Sequence, residues 1–224
     1  MLEQIEAVNL ESLTLKGIYF NKINLSVCKV IRNLTLNYDW GMKESSSLEY
    51  LISNLPRLEN LTLNNWGLRH IKISSHHLKS FKLNNNNSEG LNLIIESAPK
   101  LKSFCYRGSI KFSISMLESS SLLNGTFIIH DEQKNYDGNW FINMINLFLN
   151  LNCSWNTISM HVDSVEALIL PENLKRFCRS PLVDWEHLRV TTECKPERES
   201  ELRDTLLWIS PSLKTLSIAK RGIF

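Results

Sequence analysis

The chain has 224 residues, of which 35 are Leu and 23 are Asn, and its formal net charge is +2. A near-neutral chain without a basic block argues against a nucleic-acid or anionic-membrane binder, so we expect neither partner. The most apolar stretch, residues 140–151, is too short and too polar to span a bilayer. The amino terminus lacks the basic start and apolar core of a signal peptide. We therefore expect a cytoplasmic or nuclear protein with reduced cysteines.

The predicted elements follow a six-residue frame, a-x-x-a-x-a, in which the first, fourth and sixth positions are apolar. A frame that returns along the chain is the signature of a repeat architecture. This one is the frame of leucine-rich repeats. It predicts an α/β right-handed solenoid, a β-rich horseshoe with a parallel concave sheet and a few short convex helices. The clear copies start at Leu10, Ile31, Leu58, Leu68, Leu78, Leu101, Trp155, Val165, Trp185 and Leu213.

The spacing between frames is uneven, and some neighbours stand only ten residues apart. Ten residues are too few for a solenoid coil, which takes about 20 to 29 residues in this repeat class. We interpret the frames at Leu68 and Val165 as return strands on the far side of a coil. The other eight frames start concave strands, and residues 121–130 supply a ninth, degenerate one. The prediction is nine coils in a single domain, residues 1–224.

Prolines mark the entry to three of these strands. Pro56, Pro99 and Pro211 each lie two residues before a frame, where proline ends a helix and favours extended backbone. Where frames are ten residues apart no helix fits, so those coils are expected to carry strands on both faces. Elsewhere apolar residues recur at three- and four-residue steps, and helices are predicted over residues 47–55, 139–150 and 199–209.

At these residues the sequence resembles the repeat region of plant F-box/leucine-rich-repeat proteins. Sequence patterns typical of this family occur in LPRLENLTL, LRHIKISSHHLKSFKL, IIESAPKLKSFCYRG and DTLLWISPSLKTLSI. The resemblance implies the substrate-recognition part of a Skp–cullin–F-box ubiquitin ligase, in which the repeats bind a target protein. The F-box, which binds the Skp adaptor, is not visible here. The adaptor is therefore an expected partner only if an F-box is supplied elsewhere.

We expect a protein-binding module that is not an enzyme and has no catalytic residue, metal or cofactor. The glycines stand at least 13 positions apart, which excludes a phosphate-binding glycine loop and a nucleophile elbow. No Cys/His spacing suits zinc, and we interpret His76–His77 as a polar turn. The alternatives left open are a free-standing repeat scaffold, a truncated or decayed fragment without a ligase role, and a hydrolase in an unrecognised α/β fold.

The third, fifth and seventh positions of the eight concave frames point outward, and none of them is acidic. One interpretation is that these are ordinary polar residues suited to strands. The other is a weakly basic groove for an acidic or acceptor-rich partner segment. Both ends of the array look uncapped, so fraying or association is expected at residues 1–20 and 213–224. The candidate partner-binding residues are Lys16, Lys82, Arg107, His161, His187 and Arg189.

Overall fold

A computed structural model of the protein describes residues 3–17, 23–37, 46–64, 69–85, 89–117, 123–130, 136–151, 155–193 and 196–220. The described strands and α-helices follow one another along the chain as below. They are β1 (Glu3–Gln4), β2 (Ser12–Lys16), β3 (Ile23–Asn24), β4 (Asn33–Asn37), α1 (Ser46–Ser53), β5 (Asn60–Asn64), β6 (His70–Ser74), β7 (Ser80–Asn84), β8 (Leu91–Ser97), β9 (Ser103–Gly108), β10 (Phe112–Met116), β11 (Leu123–Ile129), α2 (Gly138–Asn150), β12 (Trp155–Ser164), α3 (Glu172–Phe177), β13 (His187–Glu193), α4 (Glu199–Ile209) and β14 (Thr215–Lys220).

One strand from each predicted coil joins a nine-stranded parallel sheet. The spatial order is β2-β4-β5-β7-β9-β11-β12-β13-β14, and every neighbouring pair is parallel. The eight concave frames are therefore confirmed. The degenerate ninth strand is confirmed too, because β11 lies between β9 and β12.

A second, three-stranded parallel sheet with the order β6-β8-β10 forms the far side of the central coils. Its first strand is the return strand predicted from the frame at Leu68. Helix α1 contacts β6 at one edge of this sheet, and α2 contacts β10 at the other. The small sheet thus lies between α1 and α2, and nearer the start of the chain β1 and β3 form a separate two-stranded parallel sheet.

A tight turn precedes the frame in several coils and explains the prolines. The amide of Leu58 donates to the carbonyl of Leu55 at 3.2 Å, which closes a four-residue turn at the first frame position. Pro56 is the second residue of this turn, where its fixed φ is favourable. Pro99 and Pro211 occupy the same place in equivalent turns.

The frame positions fill a single apolar core between the two sheets. They are buried in the inner coils. In the first and last coils they are half-buried, at Leu10 and Leu213 for example, except for the buried Leu15. Aromatic rings join the sheets in the middle of the array, where Phe112 of β10 stacks on Tyr106 of β9 with ring centroids 3.9 Å apart. Phe104 packs against the same Phe112 ring at 6.1 Å.

The frame at Val165 is not a return strand, so that prediction is wrong. Val165–Ala167 form a short 3-10 helix, although the three frame positions are buried as predicted. In the described chain the small sheet ends at β10, and α2 takes its place beyond. The carbonyl of Ala167 accepts the indole N–H of Trp140 at 2.8 Å. The segment is therefore held by a helix and has no strand beside it with which to pair.

Strand β11 was hard to recognise because a glycine occupies its fourth frame position. Gly125 pairs with Ile158 on β12 and with Phe104 on β9, in the row that is apolar elsewhere. A Cβ atom on Gly125 would lie 2.6 Å from Cζ3 of Trp155 and 2.7 Å from Cε2 of Phe127. The indole thus fills the space that an apolar side chain occupies in the other coils.

The three predicted helices are confirmed as α1, α2 and α4. Strands β8 and β10 and the short helix α3 were not predicted. The single domain stays a prediction. So does the fraying of residues 1–20 and 213–224, and parts of both ranges lie outside the described residues. His76 and His77 are exposed and form a turn between β6 and β7, as expected.

Candidate functional site

The outward face of the nine-stranded sheet presents side chains in three straight rows. They come from the third, fifth and seventh frame positions, and the pairing keeps each row in register across the strands. None of the 24 predicted outward side chains is buried. The predicted alternation between core and outer face is therefore correct along the whole sheet.

Hydrogen-bonded amides cover the part of this face formed by the first four strands. Asn84 donates from Nδ2 to Oδ1 of Asn64 at 2.5 Å, and Asn64 donates in the same way to Asn37 at 2.6 Å. The spacing between strands, about 4.8 Å, lets equivalent amides bond directly. A second ladder in the third-position row runs from Asn60 to Asn33 at 2.7 Å and from Asn33 to Oγ of Ser12 at 2.9 Å.

Two of the predicted partner-binding residues, Lys82 and Arg107, lie close together in the middle of the face. Lys82 on β7 is paired directly with Cys105 on β9, and Arg107 follows Cys105 by two residues on the same side. Burial raises the pKa of the Cys105 thiol, and the positive charges of Lys82 and Arg107 act against that rise. Both cations are exposed, and in the described part of the chain neither forms an ion pair.

Three further predicted residues lie on the neighbouring strands β12 and β13. His161 is half-buried in the seventh-position row, and Arg189 is exposed in the fifth-position row. His187 has its Nδ1 atom 2.7 Å from Oγ1 of Thr215, and its Nε2 atom 4.0 Å from Oε2 of Glu186. The second half of the face is therefore rich in cationic and imidazole groups.

Lys16 stands apart from the other five. It lies on β2, at one edge of the sheet, and β4 and β5 separate that strand from β7. Three strand spacings amount to about 14 Å. The structure thus brings five predicted residues onto the strands from β7 to β13 and leaves Lys16 among the amides.

Two polar residues of this face were not predicted, His130 and Asp163. They lie just beyond the seventh frame position, at the carboxyl ends of β11 and β12. Nε of Arg107 is 3.2 Å from Nε2 of His130, and Nδ1 of His130 is 3.1 Å from Oδ2 of Asp163. The alternation of β12 would have predicted Asp163, because it lies two residues after His161 and therefore points to the same outer face.

The described residues contain no group of three or more His, Cys, Asp or Glu side chains arranged to hold a metal ion. The described helices include none that is long and apolar enough to cross a membrane. The three described cysteines, Cys28, Cys105 and Cys178, are free thiols.

A family model described as "FBD-associated F-box protein At5g56370, LRR repeats" matches residues 7–121, just over half of the chain. The chain belongs to this leucine-rich-repeat family. The matched region contains β2 to β10, and the same parallel ladder continues beyond it through β14. Neither the curated proteins nor the solved structures include a significant match. Stacked repeats of this kind create extended concave binding surfaces, and the chain is a protein-interaction repeat module.

Proposed function

We propose that the chain binds a target protein on the outward face of its nine-stranded sheet and catalyses no reaction. We further propose that it is the substrate-recognition part of a Skp–cullin–F-box ubiquitin ligase, acting in the cytoplasm or nucleus of a plant cell. The Skp adaptor is a partner of this chain only if an F-box is supplied elsewhere. The family description, which names an F-box protein, supports the ligase role.

The charge distribution of the face carries the first part of this proposal. Elsewhere, many cations are neutralised by contact: Glu59 pairs with Arg32 at 3.1 Å and with Lys79 at 2.8 Å. On the outward face, Lys82 and Arg107 have no such partner in the described chain, and the 24 frame positions include no acid. Exposed, unpaired cations attract an acidic partner and orient its approach. The groove of Lys16, Lys82, Arg107, His161, His187 and Arg189 is the proposed contact region, centred on β7 to β13.

Charge reversal tests the location of the binding surface. The variant Lys82→Glu/Arg107→Glu is expected to lose its captured partner while its thermal melting stays nearly unchanged, because both side chains are exposed. The matched control is Lys100→Glu/Lys111→Glu, which makes the same charge change at exposed positions outside the sheet and is expected to retain the partner. Equal capture by both variants would place the contact elsewhere.

The capture itself tests the ligase role. The tagged chain is purified from plant cells under proteasome inhibition, and the co-purifying proteins are identified by mass spectrometry. Recovery of the Skp adaptor and a cullin together with a ubiquitinated partner is the expected result. A reproducible partner that is lost on charge reversal, without any adaptor, would instead support the free-standing scaffold.

A further inference from the structure

A pocket of about 190 Å³ opens at the carboxyl end of the central strands, on the outward face. The pairing of the strands defines its shape: Ile128 of β11 lies between Arg107 of β9 and His161 of β12, and His161 pairs with Thr191 of β13. Ile128 is an apolar residue in a row of polar ones, so the pocket has an apolar floor and a polar rim. Its lining is Arg107, Ile128, His130, His161, Val162, Asp163 and Thr191.

The chain of contacts from Arg107 to Asp163 fixes the arginine side chain. Arginine only donates hydrogen bonds, so Nε2 of His130 must accept from Nε of Arg107. The ring proton is then on Nδ1, where it donates to Oδ2 of Asp163. This arrangement uses the neutral form of His130, and among the described residues Arg107 forms no direct ion pair. The two terminal guanidinium nitrogens remain as donors.

We infer that this pocket binds the carboxylate of an aspartate or glutamate side chain of the target protein, a proposal that rests on the proposed function. The two terminal nitrogens of a guanidinium match the two oxygens of a carboxylate. Ile128 provides an apolar surface for the methylene groups of the same side chain. Lys82, on the neighbouring strand, adds a second positive charge. Asp163 is the one acid of the lining, and its Oδ2 atom is 3.1 Å from Nδ1 of His130.

The pocket volume of about 190 Å³ is suited to a single side chain as the occupant. Arg107 and Lys82 are exposed and form no ion pair in the described part of the chain, whereas the amides of the first four strands already bond to one another. An acidic residue therefore finds its strongest contact at this point of the face. The target segment is expected to cross the strands with its acid anchored on Arg107.

The experiment uses a random library of displayed twelve-residue peptides, selected on the full chain. The expected result is a shared Asp or Glu among the enriched peptides. Changing that acid to its amide should weaken binding at least tenfold in fluorescence polarisation, and Arg107→Gln should weaken it by a similar factor. The two changes together should weaken binding little more than either alone. Lys100→Gln, at an exposed position outside the sheet, is the control that should bind normally.

The outcomes separate this inference from the proposed function. Peptides that lose binding to Lys82→Glu/Arg107→Glu but share no acid would overturn the pocket and leave the binding face in place. Peptides that bind equally well to that variant would count against both. Enrichment of no peptide at all would count against the proposed function and also against the inferred carboxylate pocket, which rests on it.

Discussion

Replacing Gly125 by alanine is expected to destabilise the protein, although two general rules favour the change. Gly125 stands at the fourth frame position of β11, where the other coils carry an apolar side chain. Glycine inside a strand is also less stable than alanine by roughly 0.5–1 kcal/mol, because it loses more backbone freedom on folding. Both rules ignore what occupies the space around this particular residue.

The added methyl group has no room. It would lie 2.6 Å from Cζ3 and 2.8 Å from Cε3 of Trp155, and 2.7 Å from Cε2 of Phe127, closer than real Cβ contacts. Neither ring yields easily, because Trp155 donates from Nε1 to the carbonyl of Leu151 at 2.8 Å and packs edge-on against Phe127 at 5.5 Å. Overpacking a tight core costs about 1–3 kcal/mol. After subtraction of the glycine term, a net loss of about 0.5–2 kcal/mol is expected.

Urea unfolding followed by circular dichroism measures this loss. The matched control is Gly138→Ala at the start of α2, where an added Cβ meets no atom within 4 Å, so unchanged or slightly higher stability is expected. Trp155→Leu in the Gly125→Ala background should lose less than the sum of the two single changes, because the smaller side chain frees the space. A Gly125→Ala protein as stable as the wild type would refute the packing argument.

Two further predictions concern the polar surface. Asn64→Ala removes two amide hydrogen bonds, and its free energy of unfolding in urea is expected to fall by about 1–2 kcal/mol. Asn60→Ala removes one such bond and should lose about half as much stability. Equal losses in the two variants would argue against the ladder. The hydrogen bond from Lys79, with help from its charge and from Arg32, lowers the pKa of Glu59 below its ordinary 4.5. The ionised carboxylate is therefore favoured by folding, and its contribution is present above about pH 4.5 and lost as the pH falls. The urea midpoints of wild type and Glu59→Gln should converge between pH 7 and pH 3, and a gap independent of pH would contradict this.

The concave strands were predictable because their frame combines two signals. Positions four and six alternate as in any half-buried strand, and position one lies three residues earlier, after the turn that Pro56 exemplifies. Strands β8 and β10 carry only the alternation, at Leu91, Leu93 and Ile95 in β8, because a serine stands where the first apolar frame position would be, Ser88 before β8 and Ser109 before β10. A search for the complete frame passes over them, whereas a search for period-two alternation alone would have found both.

The same frame also produced the wrong strand at Val165. Residues three apart lie on one side of a 3-10 helix, since that helix has three residues per turn. Val165 and Leu168 are therefore both buried in a helical turn, as they would be in a frame. A six-residue pattern cannot separate the two structures. The difference depends on a neighbouring strand, which is a property of the fold and not of the segment.

The outward face of the sheet was predictable in part for a related reason. Outward positions follow from alternation along each strand, which is local, and this placed the six candidate residues on one face. The contact between His130 and Asp163 depends on the register between β11 and β12. Gly125 obscured the frame of β11, so its register was not available from the pattern. The pocket beside Arg107 could therefore not be predicted from the sequence, because β11 contributes part of its lining.

The two halves of the face differ in what a partner gains by binding them. In the first four strands, Asn37, Asn64 and Asn84 already satisfy one another, so a partner that bonds to them replaces existing bonds and gains little net free energy. From β7 onward, Lys82 and Arg107 have no counter-ion in the described chain, so a carboxylate adds a charge-assisted bond and displaces none. Under the proposed function, the amide ladders make the sheet regular and the central cations select the partner. This division explains why a face whose 24 frame positions include no acid also has a stretch with almost no charge. Under the same proposal, that stretch maintains the geometry on which the contacts at Arg107 depend.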